Sequence, residues 1–212
     1  MIQLFIKGGP IMWPILVVSI VALTVVIERL IFIVREAVRR DRGMVGRILA
    51  FVENGDIDSA IKAGRNSQDF VARTLVYALD HRDRSVSEAL LRAANVELNR
   101  FNRGINLLDT VITMAPLLGL LGTVTGMIHS FGLLGASELG APAAITGGIA
   151  EALIATAFGL GVAILALLPF NYLNSRLESA RHEIQDAGSH LELCLVKTPR
   201  KCAFETIEEV EV

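Results

Sequence analysis

The chain has 212 residues, 52% of them hydrophobic and 20% charged, with a formal net charge of -2. Its mean hydropathy of +0.53 is that of an integral membrane protein with a modest aqueous part, not of a wholly water-soluble globule. The near-neutral balance, without interleaved basic and aromatic residues, argues against a nucleic-acid binder.

Residues 1–10 read as a short external N-terminal segment, with Gly8, Gly9 and Pro10 as helix punctuation. The apolar run that follows lacks a strongly basic leader and a small-residue cleavage site, so it is expected to be a retained span over 11–34 rather than a signal peptide. Trp13 near its start suits the headgroup interface. Pro14 falls in the first turn, where a missing N–H costs little. Arg29, Arg35, Arg39, Arg40, Arg42 and Arg47 cluster at the far end. By the positive-inside rule that end is cytoplasmic and the N-terminus external. Glu28-Arg29 reads as an interfacial ion pair with a snorkelling side chain.

Residues 35–106 are aqueous in composition and predict several cytoplasmic helices. Asn54-Gly55 marks a helix end. Asp56 caps a short helix that stops at Gly64. Phe70, Val71, Leu75, Val76 and Leu79 recur at helical spacing within 68–81. Ser85 and Glu88 form a capping box, and the helix it opens is expected to continue as one long helix into the second span. His81 is expected to be solvated surface. No nucleotide cradle and no nucleophile with its base is found, so an enzyme is the weakest reading.

The second span is placed at 107–134, with its apolar run from Val111 to Leu134. An external loop is expected at 135–142 and a third span at 143–173. Both runs exceed the ~20 residues needed to cross a bilayer as a helix. Arg176, Arg181 and His182 then lie inside. Leu177, Ile184, Leu191 and Leu195 keep apolar spacing, so the third helix should extend into the cytoplasm within 174–212. Its acidic end, 204–212, is expected to be disordered. Cys194 and Cys202 in that segment should be reduced thiols if it is cytoplasmic. No C-x-x-C and no Cys/His cluster stands out, so neither a metal nor a cofactor is expected.

Polar residues interrupt the second and third spans. Gly119, Gly122 and Gly126 form one stripe of small residues, and Ala152, Ala155, Gly159 and Ala163 another; such stripes let membrane helices approach closely. Thr123 and Thr156 adjoin them. For a single membrane threonine the commonest role is a hydroxyl bond to its own helix's i−4 carbonyl. Two threonines beside close-packing stripes, with Glu151 about 7.5 Å along the helix from Thr156, favour a polar path instead. Acids inside membrane helices are costly and often mark ion routes. Thr125 and His129 are accessory candidates; for His129 a polar ring at the interface serves equally well.

The stretches APLLGLLGTVTGMIHSF (Ala115–Phe131) and GIAEALIATAFGL (Gly148–Leu160) strongly resemble the MotA/TolQ/ExbB proton-channel family, and GGPIMWPILVVSIVALTVVIERL (Gly8–Leu30) resembles its first-span signature. The resemblance covers all three spans in order; the cytoplasmic segment fits in length and helical character only. It implies an all-α membrane protein whose protomers, with long cytoplasmic helical extensions, assemble as a homo-oligomeric, pentameric bundle. The second and third helices would line a pore around a dimer of an ExbD- or TolR-like single-span partner carrying a membrane aspartate. Thr123 and Thr156 would then be pore-facing threonines beside that aspartate, and Glu151 the glutamate implicated in assembly or conduction. Hydroxyls so placed could donate to a carboxylate or order a water chain.

The resemblance further implies a multi-pass subunit of the bacterial inner membrane, N-terminus periplasmic and C-terminus cytoplasmic. It would use the proton motive force with a TonB-like effector to energise outer-membrane transport. The presence of three spans rather than four disfavours a flagellar role. A TolQ-like function in envelope integrity and division is the nearest alternative, and His129 resembles TolQ-like members. A non-conducting scaffold for partner helices is the alternative of a different kind.

Overall fold

The computed structural model describes Phe5 and residues 8–82, 85–134 and 141–208, with side chains described outside 133–145 and 197–208. Among the described residues the regular structure is helical: α1 (Met12–Arg39), α2 (Arg42–Glu53), α3 (Ile57–Gly64), α4 (Phe70–Asp80), α5 (Val86–Asn102), α6 (Ile105–Leu134) and α7 (Ala141–Glu208). Stretches in α1, α6 and α7, at Met12–Arg39, Ile105–Gly132 and Thr146–Val196, are long and apolar enough to cross a membrane. Only 22% of each apolar window is buried within the protein. Side chains such as Leu153, Leu160, Ile164 and Leu168 therefore face outward, as they can in hydrocarbon but not cheaply in water.

The chain divides into two compact units, one of residues 1–31 and 104–174, the other of 32–103 and 175–212. In the first unit, α6 starts after a break that the sequence reading did not anticipate. Gly104 adopts φ +84°, a left-handed conformation that an α-helix cannot contain and that glycine takes without a Cβ penalty. Helix α5 accordingly ends at Asn102, and α6 is a new helix from Ile105. A Cβ at position 104 would lie 3.1 Å from Val25 Cγ1 and 3.3 Å from Arg29 Cδ. Arg29 pairs with Glu28 at 2.6 Å, as expected, but its side chain is buried rather than snorkelling. Trp13 is exposed and meets Phe5 edge-on, with centroids 5.4 Å apart.

The second unit is a packed helical domain. Asp41, Asp56, Asp69 and Ser85 cap α2 to α5 by accepting backbone N–H bonds, the donors that helix starts otherwise leave unpaired. Asn54 and Gly55 (φ +79°) end α2. The core gathers Ile48, Val52, Val71, Leu75 and Leu79 with Ala180, Ile184 and Leu191 of α7. Leu177, Ile184 and Leu191 recur every seven residues and all are buried, so one face of α7 supplies a continuous seam. Each fully buried Leu or Ile contributes about 1.5–3 kcal/mol relative to exposure.

Asp69 is fully buried and accepts from four donors: the N–H groups of Val71, Ala72 and Asp41, and the guanidinium of Arg40. Arg40 also binds Glu183 at 2.8 Å and lies over the Phe70 ring. Burial works against the charge of Arg40, but the bonds to Asp69 and Glu183 more than offset it and raise its pKa further. Arg73 makes a two-pronged bond to Glu97, at 3.0 and 2.8 Å. Helix α7 continues to Glu208, so it enters the acidic stretch expected to be disordered. Residues 209–212 lie outside the described residues, as do those of the link at 135–140.

Candidate functional site

The two stripes of small residues meet each other. A Cβ built on Gly122 would fall 2.6 Å from Ala155 Cβ, one on Gly126 3.1 Å from Ala152 Cβ, and one on Gly119 3.0 Å from Thr156 Cα. On the opposite helix, a Cβ at Gly159 would meet the Ala115 carbonyl at 2.5 Å and Gly119 Cα at 3.0 Å. Helices α6 and α7 are thus antiparallel and nearly backbone to backbone, a contact that side chains larger than a methyl would prevent. Ala152, Ala155 and Ala163 are buried in it.

Within this contact the two threonines behave differently. Thr123 donates to its own helix, at the Leu120 carbonyl 2.7 Å away. Thr125 does the same, to Leu121 at 2.9 Å and Gly122 at 3.2 Å. Thr156 donates across the interface to the Gly119 carbonyl at 2.9 Å. Close approach at Gly119 makes that bond geometrically available. A hydroxyl has one donor and two acceptor lone pairs. In this arrangement the protons of Thr123 and Thr156 are committed to carbonyls, so toward a further group both act as acceptors. A protonated acid or a water is the partner that matches.

Glu151 lies one and a half turns from Thr156 on α7, and its carboxylate packs on the α-carbon of Gly9, where any added Cβ would collide with Oε1 and Cδ. Gly9 has φ +72°. Glycine at 9 therefore serves two ends at once, the turn and the close approach to the acid. Gly8 presses on Met12 and Ile154 in the same region. His129 and Thr125 are exposed, and neither joins the Thr156–Gly119 contact.

Two residues at this interface were not singled out from sequence. Ser130 is buried, donates to the Gly126 carbonyl at 2.8 Å, and fills the space in front of Gly148. Its signal was its place one turn beyond Gly126 on the same stripe. Gly9 was noted only as helix punctuation; its partnership with Glu151 spans 142 positions and leaves no local trace.

Residues 61–186 match the MotA/TolQ/ExbB proton channel family. The chain belongs to that family. Similarity extends beyond the matched segment: the ExbB-like 1 protein of Synechocystis sp. is 40% identical over 196 residues, covering 89% of this chain and 76% of the relative. The biopolymer transport protein ExbB of Neisseria gonorrhoeae is 36% identical over 131 residues, covering 62% of this chain and 59% of its own. The Tol-Pal system protein TolQ of Haemophilus influenzae is 35% identical over 112 residues, covering 51% and 48% respectively. With three apolar helices and this membership, the protein is a multi-pass membrane protein. The MotA/TolQ/ExbB family is one of channel and transport subunits rather than of enzymes. Its matched residues hold the α6–α7 contact, Thr123, Thr156 and Glu151 included.

Proposed function

We propose that this protein is a proton-channel subunit of the bacterial inner membrane that uses the proton motive force to energise transport across the outer membrane. Protomers assemble as a pentamer around an ExbD- or TolR-like single-span partner, with a TonB-like protein as effector. The N-terminus and residues 135–142 are periplasmic; residues 35–106 and 174–212 are cytoplasmic, in keeping with the arginines from 35 to 47. Membership of the MotA/TolQ/ExbB family and the resemblance to proteins named for biopolymer transport support the reading.

The observation that carries it is the hydroxyl arrangement at the α6–α7 contact. Thr156 and Thr123 are half-buried beside it, each with its proton committed to a carbonyl and its lone pairs left to accept. When the partner's membrane acid is protonated it has a donor to offer them; once ionised it has none. The hydroxyls thereby favour the neutral form of the carrier, the form that crosses hydrocarbon at lower cost. Each charge moved inward releases ~2.3 kcal/mol per 100 mV. Glu151, held against Gly9, acts in assembly or at the mouth of the path.

The Thr156–Gly119 bond also supports a second reading, a non-conducting scaffold in which the hydroxyl only fastens two helices. Proton flux into liposomes holding this protein with its single-span partner separates the two. Conduction requires a flux that depends on the partner, falls in Thr156→Val and survives in Thr156→Ser. Equal flux in Thr156→Val and the parent would return Thr156 to packing. A TolQ-like assignment, favoured by the similarity to the Haemophilus protein, would show instead as detergent sensitivity without loss of outer-membrane uptake when the gene is removed.

A further inference from the structure

The helical unit of residues 32–103 and 175–212 holds a second group of chemically reactive side chains, one that the channel reading does not use. His190 and Cys194 lie four residues apart on α7, hence on one face. Glu53, the last residue of α2, reaches the same point. Glu53 Oε1 lies 3.3 Å from His190 Nε2 and 3.7 Å from Cys194 Sγ, and all three ligand atoms fall within 4.8 Å of one another. The earlier expectation that no Cys/His cluster exists does not hold here.

We propose that Glu53, His190 and Cys194 form a three-ligand site for a zinc-class divalent cation. Zinc bonds of ~2.3 Å to sulfur and ~2.0–2.2 Å to nitrogen and oxygen, at tetrahedral angles, separate the ligand atoms by about 3.3–3.6 Å. The two separations here, 3.3 and 3.7 Å, are already close to those values. Without a metal, a thiol hydrogen bond from Cys194 and an ion pair with His190 both converge on the Glu53 carboxylate and hold the three groups in this arrangement.

The ligand types select the metal. Thiolate with imidazole disfavours calcium and magnesium, which take oxygen ligands, and favours zinc or its surrogates cobalt and cadmium. Cys194 is buried in the helical core, whereas the side chains of His190 and Glu53 are about half exposed, at 52% and 55%. The sulfur side is therefore shielded, and the fourth position opens to water through which the ion enters. On binding, the thiol releases its proton to solvent, and the metal takes the position between sulfur and carboxylate that the proton had bridged. The ion would tie the end of α2 to α7. Removing one of three ligands should weaken binding by on the order of 100-fold or more, at or above the losses seen for outer-shell partners.

The test uses the full-length protein in detergent, stripped with chelator and titrated with Co²⁺, then challenged with Zn²⁺. The expected result is one cobalt per protomer with a near-ultraviolet thiolate-to-cobalt charge-transfer band that zinc abolishes. Cys194→Ser and His190→Gln should each remove the band, Glu53→Gln should weaken binding, and Cys202→Ser should leave it unchanged. If Cys194→Ser fails to fold, His190→Gln at its half-exposed position decides the matter. No charge-transfer band in the parent, a band that survives His190→Gln, or one lost only in Cys202→Ser would overturn the site.

Discussion

The hydroxyl of Thr156 on α7 donates to the carbonyl of Gly119 on α6, 2.9 Å away, at the point where a Cβ on Gly119 would come within 3.0 Å of Thr156 Cα. The hydrogen bond and the missing side chain depend on each other. A larger residue at 119 would move the carbonyl out of reach. Loss of the hydroxyl would leave a carbonyl facing a helix with nothing to offer it. Interhelical bonds of this kind in membranes average about 0.6 kcal/mol and reach about 1.7. Thr156→Val should therefore destabilise the α6–α7 pair by about that much in detergent unfolding, and Thr156→Ser by less. Equal stability of both variants would mean that the bond contributes nothing.

The contact of Gly122 with Ala155 predicts a rescue. Gly122→Ala places two methyl carbons 2.6 Å apart and should cost about 1–3 kcal/mol as an overpacked interface. Adding Ala155→Gly should recover most of the loss, since the space then changes sides. Gly161→Ala is the control, because no atom lies within 4 Å of its Cβ position. Unfolding of the parent, Gly122→Ala, Ala155→Gly, the double variant and the Gly161→Ala control in one detergent measures the coupling; strictly additive losses in the double variant would show that the two positions do not touch.

Asp69 should be the most sensitive polar residue of the helical unit. Asp69→Ala takes one of its two carboxylate partners from the partly buried Arg40 and removes the acceptor of three backbone N–H groups. Breaking a buried pair in this way typically costs about 3–5 kcal/mol. Asp69→Asn retains a capping oxygen and should lose less. By contrast, Glu178→Ala removes a pair in which both side chains are over two-fifths exposed and should change stability by under about 0.5 kcal/mol. Chemical denaturation followed by circular dichroism ranks the three; an Asp69→Ala variant as stable as Glu178→Ala would refute the network's importance.

Asp56 introduces an acid dependence of known sign. Ser59, through its hydroxyl and its backbone N–H, holds the Asp56 carboxyl below the usual carboxylate range. A depressed carboxylate contributes stability above its unfolded pKa and loses it as the pH falls through the folded one. The cap of α3 should thus be intact at neutral pH and weaken on acidification below the ordinary carboxylate range. In Asp56→Asn, whose amide oxygen caps without titrating, that part of the acid response should vanish. Superimposable acid-unfolding curves for the two proteins would contradict the assignment.

Sequence carries these features unequally. Local signals were legible because their physics is local. Asp56, Ser85 and the Asn54-Gly55 stop lie within a turn of the groups they satisfy. The glycine and alanine stripes could be read as faces from helical periodicity alone, and the two faces do meet. What escaped was set by contacts between distant segments. The direction of the Thr156 proton depends on where Gly119 stands, 37 positions away. Glu151 under Gly9 and Glu53 beside His190 and Cys194 join parts of the chain that share no pattern. Gly104 was visible, yet an isolated glycine can be tolerated within a helix. Only its φ of +84° shows that the helix ends there.

The antiparallel stripes have a consequence for how such a protein can change length over generations. Gly119 faces Thr156, Gly122 faces Ala155 and Gly126 faces Ala152, so the partners run past each other like teeth on opposed racks. Each residue of an α-helix advances the face by about 100°. One codon inserted or deleted between Gly119 and Gly126 would swing every later tooth by that angle and present bulky leucines where the racks must mesh. Substitutions at the lipid-facing positions can drift one by one, whereas the spacing within the stripes cannot.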